Sequence, residues 1–191
     1  MRSVGMLSVA VALPAALLAA PGASVATSRE GPPTTDEIPA DWIALVDDTQ
    51  QISIAVPPTW TDVDTVPDLS GQPWISATTD ADLFFPPAGE ADTYSVPGIL
   101  YRAFPVADDP ASWLETSLLH DVCMSEPIEE FRNDVFDGTR QSFTECGGTD
   151  SSITQVAATR VDGEFTVLLL VQLVGEPFDE ETLDYVLRSM S

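Results

Sequence analysis

The sequence predicts an α+β fold, in which helices flank an antiparallel sheet of about seven strands on both faces. Three observations support this prediction. Segments 151–160 and 165–174 are rich in β-branched and apolar residues and flank VDGE, and Asp-Gly is a favoured hairpin turn. Other short strand-like segments are separated by loops that contain Pro and Gly. Segments 108–121 and 178–190 instead repeat apolar residues at helical spacing.

The first two strands are predicted at residues 42–46 and 51–56, joined by a DDTQ turn. In the second strand Ile52, Ile54 and Val56 share one face, which is typical of a half-buried strand. The two prolines that follow end this strand because proline cannot donate to a ladder.

The middle of the chain alternates loops with short strands. Segment 61–73 is predicted as a loop, and strands are predicted at 74–79 and 97–104. One helical turn is expected around Leu83.

Two helices are predicted. The first begins with Asp108 or Asp109 as N-cap and Pro110 at the first helical position. Its narrow buried face consists of Trp113, Leu114, Ser117 and Leu118. The second helix buries Leu183, Val186, Leu187 and Met190.

The later strands are predicted around 131–136 and 139–146, with Asp137-Gly138 as a tight turn. In the last hairpin, Arg160 is placed opposite Phe165. The pairs that follow are Ala158–Val167, Ala157–Leu168, Val156–Leu169 and Gln155–Leu170. The final strand is apolar on both faces, so it is predicted to be a central strand that is covered on both sides.

Residues 1–26 have the pattern of a secretory signal peptide. Arg2 precedes an apolar run over residues 4–20, and Ser24-Val25-Ala26 fits the small-x-small rule for cleavage after Ala26. A transmembrane anchor is the alternative, but the run is short and Pro14 interrupts it. No cysteine lies near the cleavage point, so there is no lipobox and no lipid anchor is expected.

The rest of the chain is predicted to comprise a flexible leader and one domain. Residues 27–40 are polar and Pro-rich and have almost no large apolar side chain to bury. Residues 41–191 form the domain, which is expected to be secreted and monomeric.

The charge of the chain excludes two classes of partner. The net charge is −24, and all seven basic residues are arginine. Nucleic acids and anionic membranes bind positive charge, so neither is expected as a partner. Acidity of this kind is typical of a soluble exported domain; the alternatives are adaptation to high salt and weak cation binding.

Cys123 and Cys146 are the only cysteines. In an exported chain of this size they predict one disulfide, which stabilises the fold by about 3 kcal/mol. Zinc sites need about four ligands. The chain adds only His120 to the two thiols, so no metal site is expected.

No catalytic residue and no cofactor are predicted. A serine or cysteine nucleophile needs a base within reach, and His120 is the only histidine. The stretch ECGGTDSS (145–152) lacks both the G-x-S-x-G pattern and the lysine of a P-loop. Its glycines are expected to turn the chain from one strand into the next.

Two further candidate sites remain. The carboxylates of DVDTVPD (62–68) depart from a calcium loop at Val66 and Pro67, so solvated loop acids are expected there. A ligand groove is expected in the irregular apolar stretch after the third strand. Its lining residues would be Trp74, Phe84, Phe85 and Tyr94.

Three pieces of the sequence resemble a known family: VDDT (46–49), PPTWTDVD (57–64) and the Cys-Gly-Gly that leads into the last hairpin. Together they resemble the module that follows the catalytic domain in some actinobacterial trypsin-like serine proteases. That module is similar to the PsbP-like fold of mycobacterial exported lipoproteins and of the Ran-binding nuclear-import factor Mog. The resemblance covers residues 42–190 and implies an α/β/α sandwich without catalytic machinery.

The function expected is that of an exported, non-catalytic accessory or binding domain whose partner is a protein or a small ligand outside the cell. A protease-associated or regulatory protein is one alternative. A weakly cation-binding acidic module is another.

Overall fold

The computed structural model describes residues 38–86, 94–175 and 180–191. The predicted signal peptide and almost all of the predicted leader lie outside these residues. The strands are β1 (Ile43–Val46), β2 (Ser53–Val56), β3 (Asp62–Asp64), β4 (Trp74–Thr78), β5 (Gly98–Phe104), β6 (Met124–Ser125), β7 (Glu129–Arg132), β8 (Phe136–Thr144), β9 (Ser151–Arg160) and β10 (Thr166–Val174). The helices are α1 (Ala81–Phe84), α2 (Ala111–Glu115) and α3 (Glu180–Ser189), with 3-10 turns at Leu118–Asp121 and Cys146–Gly148.

Within the described residues, eight strands form one antiparallel sheet. Their order is β3-β4-β5-β10-β9-β8-β6, and β7 pairs with another part of β8. Strands β1 and β2 form a separate hairpin. The predicted α+β class, an antiparallel sheet flanked by helices, is confirmed.

The strongest sequence prediction, the last hairpin, is also confirmed. Ala158 lies opposite Val167 and Val156 opposite Leu169, and β10 lies centrally between β5 and β9. Pairing extends to Arg160, whose N–H donates to the carbonyl of Phe165 at 3.0 Å.

The turn predicted at Asp137-Gly138 is wrong, because both residues lie inside β8. The chain turns earlier, where the side-chain oxygen of Asn133 accepts the N–H groups of Val135 at 2.9 Å and Phe136 at 2.8 Å. Asparagine stabilises turns in this way.

Two other predictions need correction. The expected loop 61–73 contains β3, a strand at the edge of the sheet whose three residues are all exposed. The helix expected over 108–121 is shorter, because the backbone of Ser117 is extended and its hydroxyl accepts the N–H of Leu119. Leu118, expected to be buried, is therefore 82% exposed, whereas Leu114 is fully buried.

The main hydrophobic core lies on one face of the sheet, beneath the β1–β2 hairpin and α3. Tyr101, Val156 and Leu169 contribute from the sheet, and Val186 contributes from α3. The predicted buried residues of the last helix, Leu183, Val186, Leu187 and Met190, all lie in this core. The hydroxyl of Ser189 also joins α3 to the hairpin, since its Oγ atom accepts the N–H of Ala55 in β2 at 2.9 Å.

The carboxylate of Asp47 organises the turn between β1 and β2. It accepts the N–H groups of Thr49 at 2.7 Å, Gln51 at 2.8 Å and Ile52 at 2.8 Å, and also the hydroxyl proton of Thr49. Burial alone would raise the pKa of Asp47. The hydrogen bonds outweigh burial and hold this pKa below its ordinary value.

We expect Asp47→Asn to lower the free energy of unfolding at pH 6 by about 1–3 kcal/mol, because an amide replaces one acceptor oxygen with a donor. The folded-state pKa of Asp47 is depressed, so its stabilisation is present above the unfolded pKa and is lost as pH falls through the folded pKa. The difference from the wild type should therefore shrink below about pH 4. Urea unfolding of both proteins at pH 6 and pH 3 measures it, and a difference that grows at pH 3 would contradict this account.

Candidate ligand-binding site

An apolar cavity of about 130 Å³ lies on the face of the sheet opposite the main core. Its floor comes from central strands, where Leu100 of β5 lies opposite Leu170 of β10. Gln172 of β10 and Ile153 of β9 are also opposite each other and extend the floor. These side chains point away from the core because alternate residues of a strand face opposite sides of the sheet.

Helix α1, the helical turn predicted around Leu83, forms one wall. The carboxylate of Asp80 caps the helix by accepting the N–H of Leu83 at 3.2 Å. The carboxylate of Asp62 in β3 accepts the N–H of Ala81 at 2.9 Å. The contact with Asp62 fixes the wall to the edge of the sheet.

The aromatic rings of this wall pack directly on the sheet. Phe84 and Phe85 are arranged edge to face with their centroids 4.8 Å apart. Gly98 begins β5, and a Cβ atom there would lie 2.8 Å from Cε2 of Phe84. The missing side chain therefore lets the ring of Phe84 approach the strand.

Tyr94 also lines the cavity, in an uncommon backbone conformation. Its φ is 48°, a region that bulky residues seldom occupy. Its ring packs on Gly147, where an added Cβ would lie 2.7 Å from Cδ2 of Tyr94. Conformations of this kind persist where the surrounding structure imposes them, and they cluster at ligand-binding sites.

The predicted disulfide is confirmed, and it lies in a cluster that includes Tyr94. Cys123 and Cys146 are bonded and pack in an apolar cluster with Tyr94, Leu119 and Leu170. The N–H of Cys123 also donates to the carbonyl of Leu119 at 2.8 Å. The bridge therefore holds the segment that carries Leu119 close to Leu170 in the floor of the cavity.

The chemistry of the cavity is that of an apolar pocket. Its described lining residues include no charged side chain, and Gln172 donates its amide N–H to the carbonyl of Val96 at 2.7 Å. A dry cavity of about 150 Å³ lined by Leu, Ile and Phe can hold benzene. The volume here therefore suits one aromatic ring or a branched alkyl group.

Three of the four residues predicted to line a groove come together in this cavity: Phe84, Phe85 and Tyr94. Trp74 is not among the lining residues; its ring centroid lies 6.1 Å from that of Phe85. Instead, the guanidinium of Arg102 lies 5.1 Å from the Trp74 ring centroid and 4.9 Å from that of Phe104. Trp74 thus makes a cation–π interaction with Arg102 beside the cavity.

The floor residues Leu100, Ile153, Leu170 and Gln172, and the wall residues Leu83 and Leu119, were not predicted as site residues. A signal was present for Leu170, because the hairpin register puts it on the face opposite Leu169. Leu119 had no such signal, since its position depends on the break at Ser117.

The acidic loop after β2 serves the protein's own structure. Asp64 accepts the N–H of Val66 at 2.9 Å, and Asp68 forms an ion pair with Arg102. The hydroxyl of Ser70, followed by backbone N–H groups and Arg102, lowers the pKa of Asp68 to about 2 against the opposing effect of partial burial. Within the described residues, no three His, Cys, Asp or Glu side chains are grouped to hold a metal ion.

His120 lies beside the disulfide cluster. Its Nε2 donates to the carbonyl of Leu114 at 2.9 Å, and its ring is edge to face with Phe143 at 5.2 Å. These contacts anchor the 3-10 turn to α2 and to the sheet, and this turn carries Leu119.

In the described part of the chain, no helix has the length and apolar character required to cross a membrane.

Comparisons with known proteins find a likeness among solved structures. No family model matches the sequence, and no curated protein matches it. Among solved structures, the chain is similar to the Saccharomyces cerevisiae Ran-binding protein Mog1p, with a TM-score of 0.48 and 10% sequence identity. The match covers 78% of this chain and 94% of Mog1p. At this identity nothing about the activity of Mog1p transfers to this chain.

Proposed function

We propose that this protein is an exported, non-catalytic binding domain that takes an apolar group of its ligand into the cavity between α1 and Tyr94. The observation that carries this proposal is the cavity itself: its described lining is uncharged, and one wall is a tyrosine with φ of 48°. Most sites for whole small molecules occupy about 300–1,000 Å³. A cavity of about 130 Å³ therefore accepts one group of a larger ligand.

Export is part of the proposal and draws on two features. The first is the apolar run that ends in Ser24-Val25-Ala26. The second is the bond between Cys123 and Cys146, since disulfides persist in oxidising compartments. The relation to modules of actinobacterial serine proteases and to exported lipoproteins also belongs to this proposal, with a protease-associated partner as its most specific form.

Binding can be tested by NMR titration with benzene as the probe. We expect saturable shifts of the methyl groups of Leu83, Leu119 and Ile153, because these side chains line the cavity. Leu170→Phe should weaken binding by about tenfold or more, since a ring at the floor fills the space.

Leu168→Phe is the matched control, because Leu168 is half-buried on the same face of β10 but is not among the lining residues. It should bind benzene as the wild type does. Equal affinity in the wild type and Leu170→Phe, or no saturable shift at these methyl groups, would refute the cavity as a binding site.

A further inference from the structure

A second cleft lies on the face of the sheet that carries α3 and differs in chemistry from the apolar cavity. Its volume is about 510 Å³, and it lies between the first turns of α3 and strands β7, β8 and β9. The charged side chains in its described lining are those of Glu126, Glu129, Glu180, Asp184 and Arg140. The cleft shares no described residue with the apolar cavity.

The charge of this cleft is strongly negative. Its described lining carries four carboxylates and one guanidinium, that of Arg140. Arg140 is already paired with Glu129, with Nη2 and Oε2 3.0 Å apart. The described lining residues therefore retain a charge of −3, and their carboxylates come from both walls of the cleft.

A buried hydroxyl in the lining of the cleft lacks a partner. Ser152 is 4% exposed, and its Oγ makes no hydrogen bond within the described residues. Its neighbour Ser142, which also lines the cleft, differs because its Oγ is 3.2 Å from Oγ1 of Thr154. A buried hydroxyl without a partner costs free energy, which a donor in the cleft would recover.

The cleft is too wide for a single metal ion. No three acidic, His or Cys side chains of the described chain are grouped closely enough to coordinate one ion. A larger cation that carries several N–H donors could instead reach carboxylates on both walls. Leu183 also lines the cleft and offers apolar surface to an alkyl stem.

We propose that this cleft binds an ammonium or guanidinium group on an alkyl chain, with Glu126, Glu180 and Asp184 as the counter-charges and Ser152 as a buried acceptor. The same chemistry occurs in free polyamines and in the Lys and Arg side chains of proteins. The proposal does not depend on the apolar cavity.

The test is isothermal titration calorimetry of the purified protein with two probes, spermidine and the tripeptide acetyl-Arg-Arg-Arg-amide, at about 0.15 M ionic strength to screen non-specific attraction. Binding of either probe is expected. Binding of spermidine alone identifies a free polyamine as the source of the cation, and binding of the peptide alone identifies a basic protein segment.

Matched variants separate the cleft from the general acidity of the chain. The double variant Glu126→Gln/Glu180→Gln should weaken binding by about tenfold or more. Asp108→Asn/Asp109→Asn removes the same charge from two exposed residues that do not line the cleft and should leave the affinity within about twofold. Ser152→Ala, which changes no charge, should weaken binding by about threefold to tenfold.

Two results would overturn the proposal. One is that neither probe binds at this ionic strength. The other is that the two double variants weaken binding equally, because the attraction would then belong to the whole surface rather than to the cleft.

Discussion

Replacing Cys146 with serine is expected to lower the free energy of unfolding by about 2–5 kcal/mol, the range seen when small secreted domains lose a native bridge. The bridge closes a loop with a sequence separation of 23 residues, so its loss frees the unfolded chain. The native state also suffers, because Cys146 is fully buried among apolar side chains and a serine hydroxyl would have to be satisfied there.

The measurement is guanidinium unfolding of the wild type with and without reductant, together with Cys146→Ser and the double variant Cys123→Ala/Cys146→Ala. The double variant removes the bridge without placing a hydroxyl in the cluster, so it should differ from the reduced wild type only by the lost packing of the two sulfur atoms. Cys146→Ser should be less stable than both. Titration of the native protein should find no free thiol, and two reactive thiols would refute the bridge.

Gly138→Ala is expected to destabilise the fold by about 3 kcal/mol or more. Gly138 pairs with Ala158 across β8 and β9, and an added Cβ would lie 2.3 Å from the carbonyl oxygen of Ala157 and 2.5 Å from Cα of Ala158. Overpacking typically costs about 1–3 kcal/mol where neighbouring atoms can yield. Here these neighbours are backbone atoms of an inner strand, so relief requires the ladder itself to open.

Gly163→Ala is the control for Gly138→Ala. Gly163 has a positive φ of 76° with nothing within 4 Å of the added Cβ, so it should cost only the conformational penalty of about 1–2 kcal/mol. Urea unfolding of both variants compares them. If Gly138→Ala costs no more than Gly163→Ala, the close approach of β8 and β9 at this position does not limit stability.

The last hairpin and α3 could be predicted from the sequence, because residues close together in the chain determine both. The last hairpin combines an Asp-Gly turn with apolar alternation, and its register from Ala158–Val167 to Gln155–Leu170 follows from the turn. The buried residues of α3 follow from helical spacing, because one side of the helix packs on the core.

Predictions failed where short-range signals compete. Asp137-Gly138 has the composition of a turn, but Asn133 supplies the hydrogen bonds that turn the chain, and Gly138 is required by strand packing instead. The pattern that predicted a longer second helix included Leu118, yet Ser117 ends the helical backbone just before it. Neither competition could be resolved without the tertiary contacts.

The candidate site was only partly predictable for the same reason. Phe84 and Phe85 are adjacent in an apolar stretch, so composition was enough to predict that both line the same cavity. Trp74 lies in the neighbouring strand but is held by Arg102, a contact that depends on the pairing of β4 with β5. The floor residues come from β5, β9 and β10, and only the order of strands in the sheet brings them together.

The exposed strand β3 has a consequence for the behaviour of the protein at high concentration. An open sheet edge is a template on which another chain can add a strand and begin to aggregate. Strand β3 is only three residues long, and Asp62 and Asp64 place two negative charges on it, although both carboxylates also accept backbone N–H groups. Repulsion at this edge weakens in acid, where carboxylates lose their charge. Acidic, concentrated stocks are therefore the condition in which edge-to-edge aggregation should appear first.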